Sequence, residues 1–72
     1  MDTLKILGQR IRALRIERGK KQREIAEYLE MSLRNYQRFE HGDLNLPALT
    51  LCALADYFGV STDYLLGRSE ER

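Results

Sequence analysis

Apolar residues recur along the chain at helical spacing, and short polar segments separate the recurring sets. Leu4, Leu7, Ile11 and Leu14 fall at intervals of 3, 4 and 3 residues, one face of a helix. They predict a first helix over Leu4–Arg18. Asp2 or Thr3 can cap its start, and Gly19 suits the left-handed position after its end. Arg15 and Arg18 lie in its last turn, where the helix dipole favours cations. Ile25, Ala26 and Leu29 predict a second helix over Gln22–Leu29. Tyr36 and Phe39 point to one side of a third, Leu33–His41, with Ser32 as N-cap and Gly42 as stop. Leu51, Leu54, Ala55 and Phe58 predict a fourth over Pro47–Phe58, where Pro47 gives up an N–H that a first turn leaves unbonded anyway. Gly59 ends it. Ser61 caps a short fifth helix, Thr62–Leu66, and Gly67 closes it. Arg68 to Arg72 form a charged tail that is expected to fray.

The expected fold class is all-α, a compact five-helix domain over residues 1–67 followed by the tail 68–72. Seventy-two residues allow one domain. Twelve leucines against eight β-branched residues favour helices over strands. Helices this short must be held by packing rather than by propensity. No apolar run approaches the roughly 18 residues of a membrane span. The start, Met1-Asp2-Thr3-Leu4-Lys5, lacks the basic and apolar regions of a secretion signal, so a cytoplasmic location is expected.

One cysteine, Cys52, and one histidine, His41, exclude an internal disulfide and a zinc site of the usual kind. Cys52 lies in an apolar run and reads as a small core residue. Glu24, Glu27 and Glu30 recur at helical spacing but read as a solvated face. No constellation for acid/base or nucleophilic work is visible, so an enzyme is not expected. No cofactor, metal, membrane or small-molecule ligand is implied.

The net charge of +1 hides an asymmetry. Residues 5–38 carry ten Lys/Arg against four Glu, whereas residues 39–72 carry two Arg against six acids. A basic half beside an acidic half suggests one side that faces a polyanion.

The stretch Gln22 to Glu40 is the most informative. It reads as two short helices joined by a tight turn at Glu30-Met31-Ser32, with Ile25, Ala26, Leu29, Met31, Tyr36 and Phe39 inward. Ala26 is small enough to let the following helix approach closely. The outward face of that helix shows Leu33, Arg34, Asn35, Gln37 and Arg38. Arg can bond guanine bidentately, and Asn or Gln can do the same to adenine. A helix with its N-terminal end in the major groove is the geometry of the helix-turn-helix unit.

This stretch resembles the helix-turn-helix of the lambdoid phage repressor and Cro proteins, the XRE family of transcriptional regulators. Further matching pieces are Arg15 to Gly19, Glu40 to Gly42, and the ending from Leu54 to Gly67. The resemblance implies a lambda-repressor-like fold and sequence-specific binding of double-stranded DNA, as a repressor acting on a pseudo-palindromic operator. It makes the helix from Leu33 the recognition helix, with Leu33, Arg34, Gln37 and Arg38 at base-reading positions. Asn35 reaches a base or a phosphate, and Leu33 offers apolar contact to a thymine methyl. Gln22 matches a phosphate-gripping position, flanked by Lys21 and Arg23. Ser32, His41 and Asn45 complete the expected phosphate contacts. Arg15 and Glu40 match an ion pair that ties the first helix to the third. The C-terminal part often joins two copies in the family, which makes Val60, Tyr64, Leu65 and Leu66 the expected homodimer seam.

The chain departs from the family pattern in three places. Glu30 stands where the turn usually has Gly. Lys21 stands where the N-cap is often Ser or Thr. The loop Asp43-Leu44-Asn45-Leu46 lacks the cations of its relatives, which predicts modest non-specific affinity. Arg10 and Arg12 read as plain surface. A different class of function, a protein-interaction module such as an antirepressor or heterodimer subunit, gains if Arg34, Arg38, Lys21 and Arg23 do not share one surface.

Overall fold

In the computed structural model five α-helices follow one another: α1 (Thr3–Glu17), α2 (Gln22–Tyr28), α3 (Leu33–Glu40), α4 (Ala48–Phe58) and α5 (Thr62–Leu65). The structure describes residues 2–72, so Met1, the first residue of the expected domain, lies outside them. Each helix begins and ends within about two residues of the positions the hydrophobic pattern predicts. The Asp2 carboxylate accepts a hydrogen bond from the Lys5 N–H and starts α1. Ser32 and Ser61 do the same for α3 and α5, accepting from the N–H groups of Asn35 and Tyr64. Lys21 has no such acceptor. There the Glu24 carboxylate reaches back to the Lys21 N–H at 3.0 Å, so one half of a capping box starts α2.

The core is formed by the inward faces that the sequence marks. Leu7, Ile11 and Leu14 of α1 meet Ile25 and Ala26 of α2, Tyr36 and Phe39 of α3, and Leu54, Ala55 and Phe58 of α4. α3 packs against both α1 and α2, while α5 packs against α1 and α4. Leu29, Met31, Leu51 and Leu66 pack around the margin. Among the described residues no helix is long and apolar enough to cross a membrane.

Gly8 sets how closely α1 can cross the end of α3. A Cβ there would lie 2.5 Å from the Glu40 carbonyl oxygen and 2.8 Å from that of Phe39. No side chain fits, so the glycine permits the helix contact that carries the rest of the site. Glu30 is the one non-glycine residue with positive φ among those described, at 56°. The turn between α2 and α3 therefore holds an L-residue in a left-handed conformation, which costs roughly 1 kcal/mol.

Four expectations are corrected. The tail is not a free charged end but lies against the helices. Arg10 Nη1 donates to the carbonyls of Tyr64 at 2.6 Å and Ser69 at 3.0 Å, the Ser61 N–H donates to the Arg72 carbonyl at 2.7 Å, and Arg72 pairs with Glu17 at 2.8 Å. Arg10 is thus a clamp rather than plain surface, and its guanidinium also lies 4.3 Å from the centre of the Tyr64 ring. Cys52 is exposed, because α4 turns Leu54 and Ala55 inward and leaves the cysteine on the outer side. Val60 and Leu65 are 8% and 0% exposed, so they belong to the monomer's own core and offer nothing to a dimer seam. Tyr64 is half-covered by Arg10 and Arg72. The large apolar side chains left open lie elsewhere, at Ile16, Tyr28 and Leu49.

Candidate nucleic-acid interface

The site is built outward from a buried carboxylate. Glu40, at the end of α3, is 7% exposed. Its Oε2 accepts from Arg15 Nε at 2.7 Å and its Oε1 from Arg15 Nη2 at 3.2 Å, a two-pronged ion pair between α1 and α3. The Tyr36 hydroxyl, one turn earlier in α3, donates to Oε2. Gln22 Nε2 donates to Oε1 at 3.2 Å. Burial pushes the Glu40 carboxyl up, but the hydrogen bonds from Arg15, Tyr36 and Gln22 outweigh it and hold the group below the usual carboxylate range. Burial and the hydrogen bond to Glu40 push the Tyr36 hydroxyl far above the ordinary tyrosine value, so it stays a donor. No buried side-chain polar atom among the described residues lacks a partner.

The network reaches the surface through one more bond. Gln37 Nε2, on the exposed side of α3, donates to Gln22 Oε1 at 3.1 Å. The start of α2 is thereby fixed beside the middle of α3. Lys21 and Arg23 flank Gln22, while Arg34 and Arg38 flank Gln37 by one helical turn or less. All four cations are exposed. Gln22 is accordingly less free than the sequence suggests, since one end of its side chain faces Glu40 and the other faces Gln37.

The remaining residues singled out by sequence fall around α3. Leu33 is half-buried at its first turn, and Asn35 is exposed. Ser32 accepts the capping bond, and its exposed hydroxyl can still donate. His41 is exposed just past the last turn. Asn45 Oδ1 accepts from the Leu46 N–H at 2.9 Å, which leaves its amide hydrogens free. Arg38 reaches the Asp43 carbonyl at 3.4 Å, a weak tether. Sequence reasoning missed Gly8 and Arg10. Gly8 carries no signal beyond a glycine at an inward helical position, and Arg10 none beyond its place on α1.

The profile of the helix-turn-helix domain family matches residues 8–71. The chain belongs to this family, and within it to the XRE type. The match takes in the tail that the fold ties down. The helix-turn-helix unit itself is α2 and α3. Over 64 residues the chain is 38% identical to the HTH-type transcriptional regulator ImmR of Bacillus subtilis strain 168, covering 89% of this chain and 50% of that protein. Over 61 residues it is 33% identical to an SPbeta prophage-derived HTH-type transcriptional regulator, YonR, of the same organism, covering 85% of this chain and 56% of the relative. The chain spans about half the length of these relatives. No solved structure matches it.

Proposed function

We propose that this helix-turn-helix protein binds double-stranded DNA sequence-specifically and regulates transcription as a repressor, by occupying its site. In this reading the N-terminal part of α3 enters the major groove. Arg34, Gln37 and Arg38 read base edges, Leu33 meets a thymine methyl, and Asn35 reaches a base or the adjoining phosphate. Lys21, Arg23, Ser32, His41 and Asn45 set the register on phosphates, and Gln22 adds its backbone N–H, free at the first turn of α2, because its side-chain oxygen is an acceptor already turned to Gln37.

The observation that carries the reading is the Gln37–Gln22 hydrogen bond with its four flanking cations. It holds the start of α2, with Lys21 and Arg23, beside the middle of α3, with Arg34 and Arg38, which supports a shared DNA-facing surface. The two relatives named as HTH-type transcriptional regulators support the same reading. A single module of this size buries too little surface for tight specific binding. Two copies on a pseudo-palindrome, half-sites about 34 Å apart, would supply the rest. The protein acts where DNA is, which favours the cytoplasm, and no catalytic step is part of the reading.

The test is selection of bound sequences from random duplex DNA, followed by titration of the enriched site at several salt concentrations. The reading predicts a two-fold symmetric site, bound far more tightly than random DNA, with affinity falling steeply with salt. Absence of enrichment would contradict it and favour the protein-interaction alternative.

A further inference from the structure

The chain has twelve Lys/Arg residues, and the fold divides them into two groups. Arg10, Arg15, Arg18, Lys20, Arg68 and Arg72 each pair with a carboxylate of the same chain. Among the described residues, Lys5, Arg12, Lys21, Arg23, Arg34 and Arg38 have no such partner. Four of these six belong to the proposed DNA surface. Lys5 and Arg12 do not, and nothing in the function above uses them.

These two cations share a groove. Lys5, Gln9 and Arg12 lie at i, i+4 and i+7 on one face of α1, and with Glu40 and His41 they line a cleft between α1 and the end of α3. The cleft is held in shape from below. Gly42 lies against Lys5 so closely that a Cβ there would meet the Lys5 Cα at 3.0 Å. Glu40, the acid in the lining, is neutralised by Arg15, so the open charge of the cleft is positive. His41 connects the cleft to α3, because it lies one turn beyond Gln37 on the same stripe.

We propose that this cleft holds a phosphate of the DNA backbone, with Lys5 and Arg12 as its cations, and extends the contact surface beyond the helix-turn-helix onto α1. The inference rests on the DNA-binding reading above and adds α1 to it. It also answers the missing cations of the Asp43-Leu44-Asn45-Leu46 loop: charge absent after α3 is supplied beside it, from α1. Arg12 and Lys5 touch phosphate only, so they contribute affinity to every sequence alike and none of the discrimination.

The test compares wild type, Arg12→Gln, and the Lys5→Gln/Arg12→Gln pair on the selected site and on random duplex DNA across a salt series. Arg12 is exposed and unpartnered, so its variant keeps the test valid even if Lys5→Gln loosens the contact with Gly42. The expected result is weaker binding to both DNAs in equal proportion. For each bound copy, the slope of log affinity against log salt should shrink by about 1 for the pair, which together neutralise one phosphate, and by less for the single variant; two copies on one site double both changes. Unchanged slopes with a wild type that binds normally would overturn the cleft and leave the DNA reading standing. A changed base preference would also overturn it, since a phosphate contact carries none. Failure of the wild type to bind DNA with any salt dependence would remove the function proposed above, and this inference with it.

Discussion

Arg15 and Glu40 lie twenty-five residues apart in sequence and are joined by two hydrogen bonds of 2.7 and 3.2 Å, with side-chain exposures of 12% and 3%. The pair does more than hold α1 to α3. The same carboxylate receives Tyr36 and Gln22, and Gln22 in turn receives Gln37. A buried ion pair is thereby linked, bond by bond, to the side chain proposed to read a base. Removing one partner leaves the others buried and unsatisfied, which is the costly way to break such a pair.

Glu40→Ala is therefore expected to destabilise the fold by about 3–5 kcal/mol, since it strands Arg15, Tyr36 and Gln22 together. Urea unfolding monitored by circular dichroism measures this. An unchanged midpoint would show that the network contributes nothing. Glu40→Gln, which keeps an acceptor, should cost less.

The depressed Glu40 carboxyl makes stability depend on pH with a definite sign. The folded state binds the proton less readily than the unfolded chain does, so the contribution is fully present above the ordinary carboxylate value of 4.5. It is lost as pH falls from there through the lower folded value. Melting temperature should hold steady from neutrality to about pH 5 and then drop. Glu40→Gln should flatten part of that drop. Parallel curves for the two proteins would show that Glu40 is not the group responsible.

Gly8 is the point where two backbones come closest. Gly8→Ala would place a methyl 2.5 Å from the Glu40 carbonyl oxygen, and that oxygen belongs to the backbone and cannot swing aside. Helix propensity alone would make the change favourable by roughly 1 kcal/mol. The expected outcome is the opposite sign, a loss of melting temperature, with α1 pushed off α3. A stabilised variant would contradict the packing described here.

Glu30 offers a gain. Its φ of 56° strains any residue with a Cβ, and its side chain is exposed with no partner among the described residues. Glu30→Gly should raise stability by roughly 1 kcal/mol, with DNA binding unchanged. Differential scanning calorimetry checks the first part, and titration on a fixed duplex checks the second.

Much of the fold was legible because its local signals agree. Ser32, Ser61, Gly42 and Gly59 punctuate the chain where the apolar periodicity stops, so the five helices follow from short-range rules. The Arg15–Glu40 pair came instead from likeness to a family, since nothing in spacing alone brings residues 15 and 40 together. What sequence reasoning misplaced depends on contacts between distant segments. The tail looks solvated because it is charged, yet Arg10 and Glu17 receive it from α1. Leu65 looks like spare apolar surface on a short helix, yet α5 packs on α1 and α4 and buries it, and Val60, just before α5, is buried as well. Cys52 shows the limit of reading an apolar run: α4 is apolar on several sides, and periodicity does not say which side faces out.

If α3 reads bases, Arg34 should show it most clearly, as an exposed cation in the first turn with no carboxylate partner among the described residues. The decisive measurement is the affinity of Arg34→Ala for the selected site, for each single-base variant of that site, and for random DNA. The expected result is a loss of about 1–3 kcal/mol on the selected site, relaxed preference at one position per half-site, and little change on random DNA. An equal loss on every sequence would contradict it and make Arg34 a phosphate contact.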